Sequence, residues 1–133
     1  MQDESQPWTR FHHVAVIAGD YAVSKRFYCE VLGLRVVAET YRAERDSWKL
    51  DLATQGGDRI ELFSMPGAPP RSDRPEARGL RHLAFAVPDV TRAASLLQSR
   101  GVAVEAIRVD PLTGKAYTFF ADPDGLPLEL YEA

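Results

Sequence analysis

Two histidines and two glutamates, His13, Glu61, His82 and Glu129, recur along the chain at nearly one interval: a shift of 69 residues lays His13 on His82, and a shift of 68 lays Glu61 on Glu129. Two neutral imidazoles and two carboxylates make a donor set suited to a borderline or hard divalent ion such as Ni, Co, Zn, Mn or Fe, and unsuited to a soft, thiolate-seeking one. Octahedral coordination by such a set leaves two positions for water or substrate, as a catalytic centre requires. Taken singly, a strand histidine is more often a hydrogen-bonded core residue, and a lone glutamate beside apolar neighbours more often marks a solvated sheet edge. The recurrence turns the four positions into one joint observation.

The elements that must place these residues repeat as well. Phe-His-His-Val-Ala-Val (11–16) aligns with Leu-Arg-His-Leu-Ala-Phe (80–85), Asp20 with Asp89, Gly33 with Gly101, and Arg-Ile-Glu-Leu-Phe (59–63) with Pro-Leu-Glu-Leu-Tyr (127–131). The first half predicts a strand over 11–17, then a helix capped by Asp20 that ends at Gly33 and buries Val23, Phe27 and Val31. Strands over 34–41, 48–53 and 59–63 follow. The second half predicts a strand over 80–87, a helix between Asp89 and Gly101, and strands over 102–108, 116–121 and 127–131, the last entered through the turn Asp122-Pro-Asp-Gly125. The expected fold is α+β, with two tandem βαβββ modules, 11–64 and 80–133, forming a curved mixed sheet within one domain over 11–132.

Strand alternation sorts the side chains onto two faces. Val14, Val16, Ile60, Leu62, Leu83, Phe85, Leu128 and Leu130 share the parity expected to face the helices. On the opposite parity stand His13, Ala15, Glu61, Phe63, His82, Ala84, Glu129 and Tyr131. A bound cation offsets the cost of four ionisable groups on one half-buried face. The alanines leave room beside the histidines, and Phe63 and Tyr131 are candidates for lining a substrate pocket. His12 has the parity of the apolar face and reads as structural; Cys29 reads as a packing residue. A glycosidase-like pairing of Glu61 with Glu129 leaves both histidines unexplained, and no nucleophile elbow or glycine-rich phosphate loop is present.

Composition bounds the function. The 133 residues are 45% hydrophobic and 26% charged with a net charge of −3, which offers no field for nucleic acid. The one cysteine excludes an intrachain disulfide. No apolar run is long enough to span a membrane, and the polar segment 1–10 reads as a flexible tail, so a cytoplasmic protein is expected. Residues 65–79 hold four of the nine prolines, with Arg71, Arg74 and Arg78 beside Asp73 and Glu76. They read as a solvated linker, long enough also to serve as a flap for an anionic substrate.

From Phe11 to Glu132 the chain resembles the vicinal oxygen chelate superfamily, which contains glyoxalase I, extradiol dioxygenases, fosfomycin resistance proteins and bleomycin-binding proteins. The resemblance rests on His13-Val-Ala-Val with Asp20, on Phe27-Tyr-Cys-Glu-Val-Leu-Gly-Leu34, on Arg59-Ile-Glu-Leu62, on Leu80-Arg-His-Leu-Ala-Phe85, and on Asp122-Pro-Asp-Gly125 leading into Leu128-Glu-Leu130. The His, Glu, His, Glu order looks most like bacterial glyoxalase I. It implies one divalent ion per site, Ni or Zn, held by His13, Glu61, His82 and Glu129, with Glu61 or Glu129 as the base that moves a proton on a small substrate with adjacent oxygens. It also implies a homodimer, with each site inside one chain or across two. Extradiol dioxygenases resemble a two-histidine, one-carboxylate set, from which the fourth carboxylate here departs. The Arg and Asn with which glyoxalase I enzymes tend to hold glutathione are replaced by Ile17 and Met65, which counts against a glutathione substrate. The alternatives are a metal-free small-molecule binding protein of the bleomycin-binding type and a non-haem iron dioxygenase.

Overall fold

Asp20 and Asp89 start a helix in each half by the same device. Each sits in extended backbone and its carboxylate accepts a hydrogen bond from the amide three residues on, Val23 or Arg92, which satisfies one of the donors that a helix start leaves open. Our computed structural model describes residues 5–133. Its elements are β1 (His13–Ala18), α1 (Tyr21–Arg26), a π-helical turn (Phe27–Val31), β2 (Arg35–Arg42), β3 (Ser47–Ala53), β4 (Arg59–Ser64), β5 (Leu83–Val87), α2 (Val90–Ser99), β6 (Arg108–Val109), β7 (Ala116–Ala121) and β8 (Pro127–Glu132).

The strands form two four-stranded mixed sheets with the same order, β1-β4-β3-β2 and β5-β8-β7-β6. The first and last strand of each module pair in parallel, β1 with β4 and β5 with β8, and the other neighbours are antiparallel. This is the expected α+β arrangement of two βαβββ modules. Both modules supply one core: Val16, Leu50, Leu52, Ile60 and Leu62 from the first sheet join Phe120, Leu128 and Leu130 from the second, with Phe27, Tyr28 and the α2 residues Val90, Ala94 and Leu97 between them. Each such side chain withdrawn from water contributes about 1.5–3 kcal/mol.

Polar contacts pin the modules together at the predicted turn. Asp122 Oδ1 accepts from the amides of Asp124 and Leu126, while Oδ2 accepts from the buried Tyr28 hydroxyl at 2.7 Å. Asp124 in turn accepts from the Gly19 amide at 3.1 and 3.2 Å. A Cβ on Gly19 would lie 2.6 Å from that carboxylate, so a larger residue there would have to push the Asp124 side chain aside.

Three local expectations are corrected. The helix after Asp20 is not α-helical to Gly33, because at Phe27 the hydrogen bonding switches to i→i+5, with Leu32 N bonding Phe27 O. Ser24, Phe27 and Tyr28 are buried, while Val23 faces solvent at 51% exposure; docking of this face on Asp122 and Asp124 outweighs the simple four-residue spacing. The strand predicted over 102–108 shrinks to β6, since the Glu105 and Ala106 carbonyls are taken by the Thr118 hydroxyl. The strand predicted from residue 80 begins at Leu83, because the carbonyls of Leu80 and Arg81 accept instead from Arg71. Of the tail predicted over 1–10, residues 1–4 lie outside the described residues, and 5–10 are exposed without helix or strand. No described helix is long and apolar enough to cross a membrane.

Candidate metal centre

Parallel pairing decides where each ligand candidate stands. Ala15 of β1 lies beside Glu61 of β4, and Ala84 of β5 beside Glu129 of β8. Each histidine is two residues before its alanine, on the same face, so both modules present the same arrangement. His13 Nδ1 is 3.5 Å from Glu61 Oε2, and His82 Nε2 is 3.3 Å from Glu129 Oε1. The environments also match: both glutamate side chains are 13% exposed, and the imidazoles 38% and 35%. The opposite parity, including Val16, Ile60, Leu62, Leu128 and Leu130, is the buried one.

The two pairs are not brought to one another within a chain. Among the described residues no three histidine, cysteine or acidic side chains converge on a common point. Each pair lies on the face of its own sheet turned away from the shared core. Donor chemistry and spacing nevertheless fit a divalent ion. Nitrogen and oxygen ligands about 2.1 Å from an ion lie about 3 Å apart in adjacent octahedral positions and about 3.4 Å apart in tetrahedral ones. Each pair by itself supplies half of a four-ligand set.

Around these matched pairs the walls differ. Register in the first sheet places Asp51 opposite Glu61 and Lys49 opposite Phe63; Lys49 Nζ lies 3.4 Å from Asp51 Oδ1 and 3.8 Å from Glu61 Oε2. In the second sheet Phe119 stands opposite Glu129 and Tyr117 opposite Tyr131. Phe119 meets the His82 ring edge to face at 5.1 Å, and Arg108 lies over both Tyr117 and Phe119. One wall is thus charged and the other aromatic. Lys49, Asp51, Phe119 and Arg108 escaped the sequence reading; the register through the Gly56–Gly57 turn was the signal for the first two. His12, read as structural, is exposed with its Nδ1 2.9 Å from His13 Nδ1. Of the two pocket candidates, Phe63 is buried beneath the Arg42 guanidinium, and Tyr131 stacks on Tyr117 and donates to Asp110.

The linker reaches the second wall. A cavity of about 480 Å³ is lined by His82, Phe119 and Arg108 together with Asp73, Arg74 and Arg81. Arg71 Nη2 donates to the carbonyls of Leu80 and Arg81, directly before His82, while Arg81 bonds Asp73. That charge-assisted bond holds the Asp73 carboxyl below its ordinary value.

The model of the Glyoxalase/Bleomycin resistance protein/Dioxygenase superfamily matches residues 10–130. The chain belongs to this superfamily. As a superfamily member it is 62% identical over 121 residues to the uncharacterized protein YaeR of Escherichia coli (strain K12), covering 91% of this chain and 94% of that one. It is also 31% identical over 140 residues to the 2-epi-5-epi-valiolone epimerase of an Actinomyces species, covering 90% and 76%. Among solved structures, a glyoxalase family protein from Enterococcus faecalis superposes with a TM-score of 0.87 at 46% identity, covering 94% of this chain and 98% of that one.

Proposed function

We propose that this superfamily member is a divalent-metal-dependent enzyme of the lyase or isomerase type, which moves a proton beside a carbonyl of a small substrate with adjacent oxygens. The observation that carries the reading is the pair of His–Glu couples, 3.5 and 3.3 Å apart, repeated in register on equivalent faces. Similarity to an epimerase supports it, since inversion at a carbon next to a carbonyl takes a proton off and puts one back. With Ile17 and Met65 at the two positions noted above, glutathione is left out of the proposed substrate.

The complete centre assembles between two copies: His13 and Glu61 of one with His82 and Glu129 of the other. Open strand edges support this assembly. β1 and β5 are edge strands, Ala15, Ile17, Ala84 and Ala86 on them are exposed, and a cleft of about 660 Å³ runs along β5 and reaches the start of β1 at His13 and Val14. Unpaired edges of this kind are natural seats for another strand. His13, Glu61, His82 and Glu129 would hold a divalent ion, with Ni or Zn favoured, and that ion would supply Lewis-acid polarisation of the substrate carbonyl. Glu61 or Glu129 takes the proton and returns it, while the histidines orient the carboxylates beside them.

Elemental analysis of the purified protein beside its His82→Ala and Glu129→Ala variants tests the reading. About one Ni or Zn ion per chain, lost in both variants, is the expected result. A wild type that is empty and takes up no added metal overturns it in favour of a ligand-sequestering protein, and resident iron with oxygen uptake on catechols overturns it in favour of a dioxygenase.

A further inference from the structure

The charged wall contains a cation with no counter-charge. Arg42 pairs with Ser47 in the β2–β3 register, which places it on the same face as Lys49, Asp51 and, one strand further, Glu61. Its guanidinium lies 4.7 Å from the centre of the Phe63 ring, and Nη2 donates to Ser47 Oγ at 3.0 Å. Nε is buried and bonds nothing. A buried donor without a partner is costly and calls for an explanation, of which an ion or ligand held by the exposed part of the same guanidinium is one. Arg71 Nε is buried and unbonded as well, but Arg71 already holds Asp73 and the Leu80 and Arg81 carbonyls. The other cations of the two walls are spent differently: Lys49 on Asp51 and Glu61, Arg108 on Glu105. Arg59 shares the face, but none of its donors is both buried and unsatisfied. No ion pair among the described residues engages Arg42.

The repeat sharpens the contrast. The residue that matches Arg42 by the 68-residue shift is Asp110, and the residue that matches Phe63 is Tyr131. In the second module these two satisfy each other, because the Tyr131 hydroxyl donates to Asp110 Oδ2 at 3.1 Å. In the first module a cation lies over an aromatic ring and the anion is missing. A guanidinium held flat by a ring and a hydroxyl keeps a planar fork of N–H groups that matches a carboxylate or phosphate edge.

We propose that Arg42 is the seat for an oxyanion, carboxylate or phosphate, carried by the substrate. The inference rests on the proton-transfer reading above for what the rest of the substrate does. Phe63 and Glu61 are two residues apart on one face of β4, about 7 Å, so the anionic group sits several bonds from the carbon that loses its proton. The substrate class is therefore a small oxygenated acid or phosphate ester rather than a neutral carbonyl compound.

Calorimetric titration of the full-length protein, in buffer free of phosphate and carboxylate, with inorganic phosphate, glycolate and 2-phosphoglycolate tests this seat and separates the two sources. One saturable site per chain, weakened tenfold or more in Arg42→Gln, is the expected result. Arg42→Lys keeps the charge without the fork, so it should restore phosphate binding more than glycolate binding. Equal binding by wild type and both Arg42 variants of unchanged melting temperature, or no binding of any of the three anions by the wild type, overturns the inference. Metal content keeps it distinct from the reading it rests on. A metal-free protein that binds anions through Arg42 loses only the metal reading, whereas a metal-loaded protein whose anion binding ignores Arg42 loses only the anion seat.

Discussion

If each centre is built from the first module of one copy and the second module of another, two inactive variants should rescue each other. The first variant carries His13→Ala with Glu61→Ala, and the second His82→Ala with Glu129→Ala. In a mixed dimer one composite site loses all four ligands, and the other keeps all four. Random reassociation of a symmetric dimer makes about half of the dimers mixed, each with one intact site of two, so metal content should return to about one quarter of the wild-type value. Each variant alone should hold essentially none, because a single His–Glu pair supplies only two ligands. The assay is metal analysis after the two variants are unfolded together, refolded with excess zinc and desalted, beside each refolded alone. The two pairs lie on separate sheets, on faces turned away from a common core, which is why recovery is expected at all. Mixed protein that stays as empty as its parents, while refolded wild type loads fully, would refute the composite centre.

Three further outcomes follow from the fold. Tyr28→Phe removes a buried donor to the Asp122 carboxylate and should cost about 1.5–3 kcal/mol by urea unfolding; a loss under about 0.5 kcal/mol would show that this bond does not hold the modules together. The Asp73 carboxyl is depressed by its bond to Arg81, so its contribution is complete above its ordinary value of 3.8 and is lost as pH falls through the lower folded value. Proteolysis of the linker should therefore stay slow down to that acid range in the wild type and be fast already at neutral pH in Asp73→Asn; equal rates at neutral pH would remove the Arg81–Asp73 bond as the clasp. Burial is the main cause that raises the Cys29 thiol above its ordinary value, so iodoacetamide at pH 7.5 should modify it well below the rate of a free thiol, and a free-thiol rate would show that α1 and its π-turn open readily.

Much of this protein is legible along the chain because its strongest signals are local. Alternation at period two separated Val16, Ile60, Leu62, Leu128 and Leu130 from His13, Glu61, His82 and Glu129, and the structure buries the first group and leaves the second partly exposed. Asp20, Asp89 and the Asp122–Gly125 turn were readable for the same reason, since a cap or a turn is built from neighbours three or four residues apart. Where a distant partner competed, the local reading failed: Asp122 and Asp124 turned the first helix to bury Ser24 and Tyr28 rather than Val23, and Arg71 took the carbonyls that would have extended β5.

The chain thus specified two equivalent half-centres, because a repeat and a strand parity need nothing beyond sequence order. Which walls surround them was decided by register, where a single pairing puts Asp51 rather than a ring beside Glu61 and Phe119 rather than an acid beside Glu129. That both halves bury this apolar face in one shared core, rather than each against its own helix, was decided by the tertiary packing, since periodicity within a module marks the face to be buried but not what will cover it.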